Sequence, residues 1–231
     1  RRNFLRQTAW LVVGIWAAQL PAAEAGAAYD VCVYGGTASG VMAACAAAKE
    51  GAKVILVEPS RWLGGMTGGG LMHIDWGREE AVSGSTRPIL KKDYKDAQYR
   101  LAFAEMLKSA GVTVLFEHRV SAVQKVDGVI RTIDLDLAPF DEYGCPPAKP
   151  IKALARTIKA KVFIDCSYEG DLMARSGVVY AFGREAQSAY GESLAGAQPP
   201  MSVYAVDPYV KAGDPQSGLL PGLQSTPVAP V

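Results

Sequence analysis

Between Tyr29 and Pro59 an apolar run, a glycine-rich turn, a helix of small residues and a second apolar run follow one another, and that order leaves the chain few choices. Val31 to Tyr34 reads as a buried strand and Gly35 to Gly40 as a tight turn. Val41 to Glu50 reads as a helix stopped by Gly51, and Lys53 to Val57 as a second strand ending at Glu58. This is a βαβ unit whose turn is of the dinucleotide-binding kind.

The chemistry of the turn explains its residue types. Gly35 lets the chain leave the strand with dihedrals that a Cβ would penalise. The first amides of the helix have no intrahelical acceptor, and the positive end of the helix dipole lies there, so phosphate is favoured. Gly40, Ala43, Ala44, Ala46 and Ala47 are small enough to seat the helix close on the sheet. Glu58 ends the second strand, where a carboxylate accepts ribose hydroxyls. In G-x-G-x-x-G register the middle position holds Thr37, between Gly35 and Gly40. Its Cβ holds the backbone farther from a pyrophosphate, while its hydroxyl is a donor available to one.

Glu58 is followed by Pro59, Ser60, Arg61, Trp62 and Leu63, and then by a stretch in which Gly64, Gly65, Gly68, Gly69 and Gly70 surround Met66 and Thr67. Such a run holds neither helix nor strand, and its amides can approach a ligand without intervening side chains. Gly-rich turn, terminal Glu58 and the Arg61-x-x-Gly64-Gly65-x-Thr67 pattern together resemble the FAD-binding domain of glutathione-reductase-like flavoproteins. The resemblance implies that Gly35, Gly36, Thr37, Ala38, Ser39 and Gly40 cradle the pyrophosphate and that Glu58 holds the adenosine ribose. It also implies that Arg61, Gly64, Gly65 and Thr67 lie along the FAD. A plain nicotinamide-binding Rossmann dehydrogenase lacks the second glycine motif and is the less favoured alternative.

Downstream, Lys91 to Ala110 carries Tyr94, Ala97, Leu101, Ala104 and Leu107 or Lys108 at helical spacing and stops at Gly111. Val112 to Glu117 reads as a strand, and Val120 to Val126 and Val129 to Leu135 as a hairpin around Asp127-Gly128. Ala138 to Ala155, with Pro139, Pro146, Pro147 and Pro150, reads as an irregular connection. Val162 to Ile164 is a buried strand that runs into a polar turn and a helix. Helix, parallel strand and β-meander in that order match the same flavoprotein domain. The expected fold class is therefore α/β, a Rossmann-like FAD-binding domain with a parallel sheet and a β-meander.

The resemblance implies that Val120 presents its backbone near the adenine, although Val120 reads equally well as core. In the flavoproteins the strand end after Ile164 returns to the cofactor, which brings in Ser167. The wording from Asp165 to Ala174, with Gly183-Arg184-Glu185 and Tyr190 to Leu194, is similar to exported bacterial FAD-dependent oxidoreductases, some labelled xanthan-lyase-like. Polysaccharide elimination has no residue set here.

The N-terminal stretch supports export. Arg1-Arg2-Asn3-Phe4-Leu5-Arg6 precedes an apolar run, Ala9 to Leu20, and an Ala-x-Ala site at Ala23 to Ala25. This has the form of a signal peptide over residues 1–25, of twin-arginine type. The run is shorter than the ~20 residues a bilayer span needs, so no stable membrane span is expected once it is removed and the mature protein is expected in the periplasm. Residues 29–194 are the expected FAD-binding domain. Residues 195–231, rich in Pro and Gly, read as an irregular tail, the start of a region that longer members of the family complete.

A net charge of +1 shows no basic face, so nucleic acid is not an implied partner. Cys32, Cys45, Cys145 and Cys166 have neither disulfide-framework nor metal spacing, and no metal is expected. The redox chemistry belongs to the flavin, and the substrate is an unidentified small or carbohydrate-related molecule. His73 and Asp75, just past the glycine wrap, are the candidate catalytic residues, because a group titrating near neutral pH could move protons there. His118 reads as a surface residue at a strand end. Glu169 and Asp171 are either ligand contacts or, for Asp171, a helix cap. The alternative to an oxidoreductase is a truncated, non-catalytic nucleotide-binding remnant.

Overall fold

The computed structural model describes residues 28–69, 78–90, 94–141, 145–149, 151–196 and 207–223. The described residues fall into two compact units that divide after Val178.

The first unit is built on one mixed sheet. Its strands are β1 (Ala28–Tyr34), β2 (Val54–Glu58), β3 (Thr113–Phe116), β4 (His118–Val126), β5 (Val129–Leu137) and β6 (Ile151–Asp165), in the order β3-β2-β1-β6-β5-β4. The pairs β3-β2, β2-β1 and β1-β6 are parallel, and β6-β5 and β5-β4 are antiparallel. One strand serves both parts. Residues 151–159 of β6 pair with β5, and residues 159–165 run beside β1, with Val33 opposite Ile164 and Tyr34 opposite Asp165.

Two helices lie against the parallel part, α1 (Ala38–Lys49) and α2 (Asp96–Ser109). Each ends on a glycine with positive φ, Gly51 at 87° and Gly111 at 70°. In each case the last carbonyls are closed in the same way, by Ala52 N to Ala47 O (3.2 Å) and by Val112 N to Leu107 O (2.9 Å).

The core has two halves, one on each sheet face. Val33, Val41, Ala44, Val54, Leu56, Tyr99, Phe103 and Leu107 fill the helix side. Cys32, Tyr34, Ile55, Val57, Val120, Ile133, Leu135 and Leu172 fill the meander side. β2 is buried at all five positions, as a central parallel strand covered on both faces must be. Each of its aliphatic side chains contributes about 1.5–3 kcal/mol of burial.

Several expectations shift. α1 begins at Ala38 rather than Val41, because Thr37 caps it. The buried stripe of α2 is Tyr99, Phe103, Ala104 and Leu107, while Leu101 is exposed, so the helix is rotated from the face read in the sequence. The meander gains its third strand where an irregular connection was expected, since β6 begins at Ile151. The Asp127-Gly128 turn has φ of 52° and 77°, the all-positive pair of a type I′ hairpin. His118 is buried rather than on the surface, because Glu117 at φ 58° turns the chain between β3 and β4.

The second unit holds a short helix α4 (Gln187–Tyr190) and a hairpin of β7 (Tyr209–Lys211) and β8 (Asp214–Leu219). Residues 209–219 hold a hairpin where irregular chain was expected. Among the described residues no helix is long and apolar enough to cross a membrane. The signal segment, His73 and Asp75 lie outside the described residues.

Candidate functional site

β1, β2 and β6 end side by side, and each C-terminal end delivers one part of a site. β1 connects through α1 to β2 on one side and has β6 on the other, so its end is the point where strand order reverses, the place where open α/β sheets bind ligands.

The turn after β1 is held from both flanks. Gly35, at φ 97°, donates to Val57 O at 2.8 Å. A Cβ on Gly35 would stand 2.7 Å from the Ser167 amide nitrogen, and one on Gly40 would strike the Gly35 carbonyl. Both glycines are therefore required by the packing of β1, α1 and β6. Thr37 is the N-cap of α1. Its Oγ1 accepts from the Gly40 amide at 3.2 Å and donates to the Cys166 carbonyl at 2.9 Å, with Ser39 Oγ also 2.9 Å away. The hydroxyl proton is thus taken up by Cys166, and the Thr in the middle of the motif ties α1 to the end of β6.

The N-terminus of α1 fits an anionic ligand. The Ala38 and Ser39 amides have no intrahelical acceptor, and no acidic residue stands in the first turn to compete for the dipole. Glu58, 8% exposed, is aimed at the same turn. Oε2 accepts from the Gly36 amide at 2.5 Å and Oε1 from the Ser60 amide at 2.7 Å. An ionised carboxylate has about four acceptor positions, so two remain for vicinal hydroxyls. Burial pushes the Glu58 carboxyl above its usual range, against the opposing pull of Ser60 and Gly36.

The glycine wrap is welded to the first motif. Gly64 N donates to Gly36 O at 2.7 Å, and Thr37 and Gly64 form a parallel bridge. From the other side α2 clamps it. Gly64, at φ 96°, lies so close to Phe103 that a Cβ would come within 2.6 Å of the ring. Arg100 donates to Gly68 O and to Asp96 Oδ2, and its guanidinium lies 4.6 Å over the Trp62 ring. Thr67 and Ser39 reach a cavity of about 240 Å³ whose other walls include Met42, Ile89, Leu90 and Phe103. Thr86 and Tyr99 add hydroxyls, and among the described residues no charged side chain lines it.

The turn after β6 is organised by Asp165. Its Oδ1 accepts from both the amide and the hydroxyl of Ser167, and its Oδ2 from the Met173 amide at 2.8 Å, inside helix α3 (Asp171–Arg175). Ser167 Oγ in turn accepts from the Asp171 amide at 3.0 Å. Asp171 is therefore not the cap of this helix. The N-cap position is Gly170, at φ 68°, and the carboxylate that serves the first turn comes from Asp165.

Three expected contacts stand differently from the simple picture. Arg61 pairs with Glu117 at 3.1 Å and donates to the Phe140 carbonyl, so it braces the β3–β4 corner. The Val120 amide donates to the Tyr34 hydroxyl at 3.2 Å, and Val120 itself is buried. Tyr34 is buried too, and burial raises its phenol to about 12. Ser167 gives both of its hydrogens to Asp165. Gly35, Gly36, Thr37, Ala38, Ser39, Gly40, Glu58, Gly64, Gly65 and Thr67 do converge on the strand ends. The reading of the sequence gave no role to Arg100 or Phe103, and took Asp165 and Tyr168 only as part of the motif from Asp165 to Ala174.

A profile of the family described as FAD dependent oxidoreductase matches residues 30–218. The chain belongs to that family. Its cofactor is FAD, and the donor set of the turn and Glu58 fits the dinucleotide half of that group. No curated protein matches the chain. Among solved structures, the THI4 protein of Thermovibrio ammonificans is 20% identical, with a TM-score of 0.46 over 68% of this chain and 67% of that one. The glycerol-3-phosphate dehydrogenase of Bacillus halodurans complexed with FAD is 16% identical, with a TM-score of 0.47 over 66% of this chain and 37% of that one. A geranylgeranyl bacteriochlorophyll reductase-like protein of Thermoplasma acidophilum is 19% identical, with a TM-score of 0.44 over 68% and 44%. This FAD dependent oxidoreductase chain thus spans less than half the length of the latter two.

Proposed function

We propose that the chain is the FAD-binding part of an exported oxidoreductase that acts on a small molecule with an apolar portion. The observation that carries this reading is the Gly64 N to Gly36 O hydrogen bond of 2.7 Å, which joins the two glycine motifs at the end of β2, beside Glu58. FAD, when bound, supplies the electron transfer itself.

The protein's own residues then have separable tasks. The Ala38 and Ser39 amides and the α1 dipole hold phosphate oxygens, and Glu58 accepts from ribose hydroxyls. Gly64, Gly65 and Thr67 give a main-chain wall, backed by Phe103 and Arg100 so that it keeps its shape. His73 and Asp75 remain the proposed proton carriers, from their place just after that wall in the sequence.

An apolar substrate group suits the Met42, Ile89, Leu90 and Phe103 walls of the cavity beside Ser39 and Thr67. Export rests on Arg1-Arg2 and the apolar run that follows, and a twin-arginine route suits a protein that loads its cofactor before transport.

The test is to purify the protein from the complete gene, release any bound chromophore and identify it. FAD in near-stoichiometric amount is expected. A colourless protein, or one that takes up NADH and no flavin, sinks the reading.

A further inference from the structure

The two loops that carry the glycine wrap and the β6–α3 turn are joined at their tips. The Met66 amide donates to the Tyr168 hydroxyl at 2.7 Å, across 102 residues of chain. Gly65 makes room for this contact. A Cβ there would collide with the Tyr168 hydroxyl and stand 3.0 Å from the ring carbon that bears it. Gly65 has φ of 54°, so its backbone also turns away from conformations that side chains favour.

The contact closes a ring of covalent and hydrogen-bonded links. Thr37 Oγ1 donates to Cys166 O, Cys166 leads through Ser167 to Tyr168, and Tyr168 accepts from Met66. Met66 leads back through Gly65 to Gly64, whose amide donates to Gly36 O, next to Thr37. The ring therefore includes the very residue from which α1 starts, and the Ala38 and Ser39 amides follow directly. Among its links the Tyr168–Met66 contact is the exposed one. Tyr168 is 56% exposed, whereas Thr37 is 7% exposed. An amide has one hydrogen, so a ligand oxygen that uses Met66 must first displace the phenol.

We infer that Tyr168 belongs to the dinucleotide site as a latch, closed across the strand ends and released when the phosphate-bearing ligand seats. The inference rests on the FAD-binding reading of the same turn. While closed, the latch limits the fraction of molecules ready to bind, and the apparent affinity is reduced by that fraction.

Tyr168→Phe in the full-length protein tests it, after removal of bound flavin. The ring is kept, only the hydroxyl is lost, and the exposed position makes misfolding no obstacle. Stopped-flow quenching of FAD fluorescence then gives both rate constants. The association rate is expected to rise by roughly two- to tenfold, the range one net hydrogen bond provides, with the dissociation rate unchanged. An unchanged association rate overturns the latch. A faster dissociation also overturns it, because it makes Tyr168 a direct contact that holds the ligand. If wild type takes up FAD and the variant matches it, only the latch is lost. If wild type never takes up FAD, the underlying reading falls with it.

Discussion

Thr37 occupies the place where the dinucleotide motif has its middle glycine, and the structure makes its role measurable. Its hydroxyl does two things at once. It accepts from the Gly40 amide as the cap of α1, and it donates to the Cys166 carbonyl on β6. Thr37→Val keeps the shape and removes both. Losing a cap costs about 1 kcal/mol, and leaving the partly buried Cys166 carbonyl without its donor costs up to about 1–3 kcal/mol. The two bonds share one atom, so the sum is bounded rather than strictly additive, at roughly 2–4 kcal/mol. For a unit of this size that is a fall in Tm of about 5–15 °C by thermal circular dichroism. Thr37→Ser keeps the hydroxyl and should lose no more than about 1 kcal/mol. The same pair reports on ligand binding. Because the hydroxyl proton is already donated to Cys166, the folded valine variant should bind FAD within about threefold of wild type. A valine variant as stable as wild type would refute the capping argument. A hundredfold loss of FAD affinity at unchanged stability would show that the hydroxyl serves the phosphate instead.

Other outcomes follow from the same geometry. Gly64→Ala places a methyl against the Phe103 ring at a φ of 96°, and should destabilise by roughly 2–4 kcal/mol in urea denaturation. Adding Phe103→Leu should recover part of that loss, whereas strictly additive losses would contradict the contact. Stability should also depend on pH through His118, whose Nδ1 donates to the Phe116 carbonyl at 2.6 Å and whose burial holds its pKa below the usual 6.5. A depressed pKa means that the unfolded chain binds the extra proton first. Its contribution is therefore complete above pH 6.5 and is lost as pH falls from there through the folded value. Glu58 acts with the opposite sign. Its raised pKa makes its contribution complete below 4.5, and that contribution is lost as pH rises through the folded value. His118→Asn, which keeps a donor for Phe116, should flatten the fall in Tm between neutral pH and pH 5.5. An unaltered slope would assign the effect elsewhere.

What the sequence shows and what it hides separate along a physical line. β1, the Gly35–Gly40 turn, β2 with Glu58 and the Asp127-Gly128 hairpin are written in adjacent residues, because their signals are local: a strand of β-branched residues, a glycine needing positive φ, a carboxylate at a strand end. The N-terminal part of β6 is not. Ile151 to Ile158 follows a proline-rich stretch and is a strand because β5 offers it a partner. The burial of His118 depends on the turn at Glu117, and the rotation of α2 on Phe103 meeting Gly64, a residue thirty-nine positions earlier (103 − 64). The same holds in the site. Both glycine motifs were readable, but their junction through Gly64 and Gly36, the Arg61–Glu117 brace and the Tyr168–Met66 contact are long-range pairings that no local pattern announces.

The central claim is that the strand ends hold the adenosine-pyrophosphate half of FAD. Competition in the flavin-free, full-length protein tests it most directly. FAD is titrated by fluorescence quenching in the presence of ADP, which carries that half alone, or of FMN, which lacks the adenosine. ADP is predicted to displace FAD competitively and FMN to bind far more weakly than FAD. FMN binding as tightly as FAD, with ADP without effect, would contradict the account.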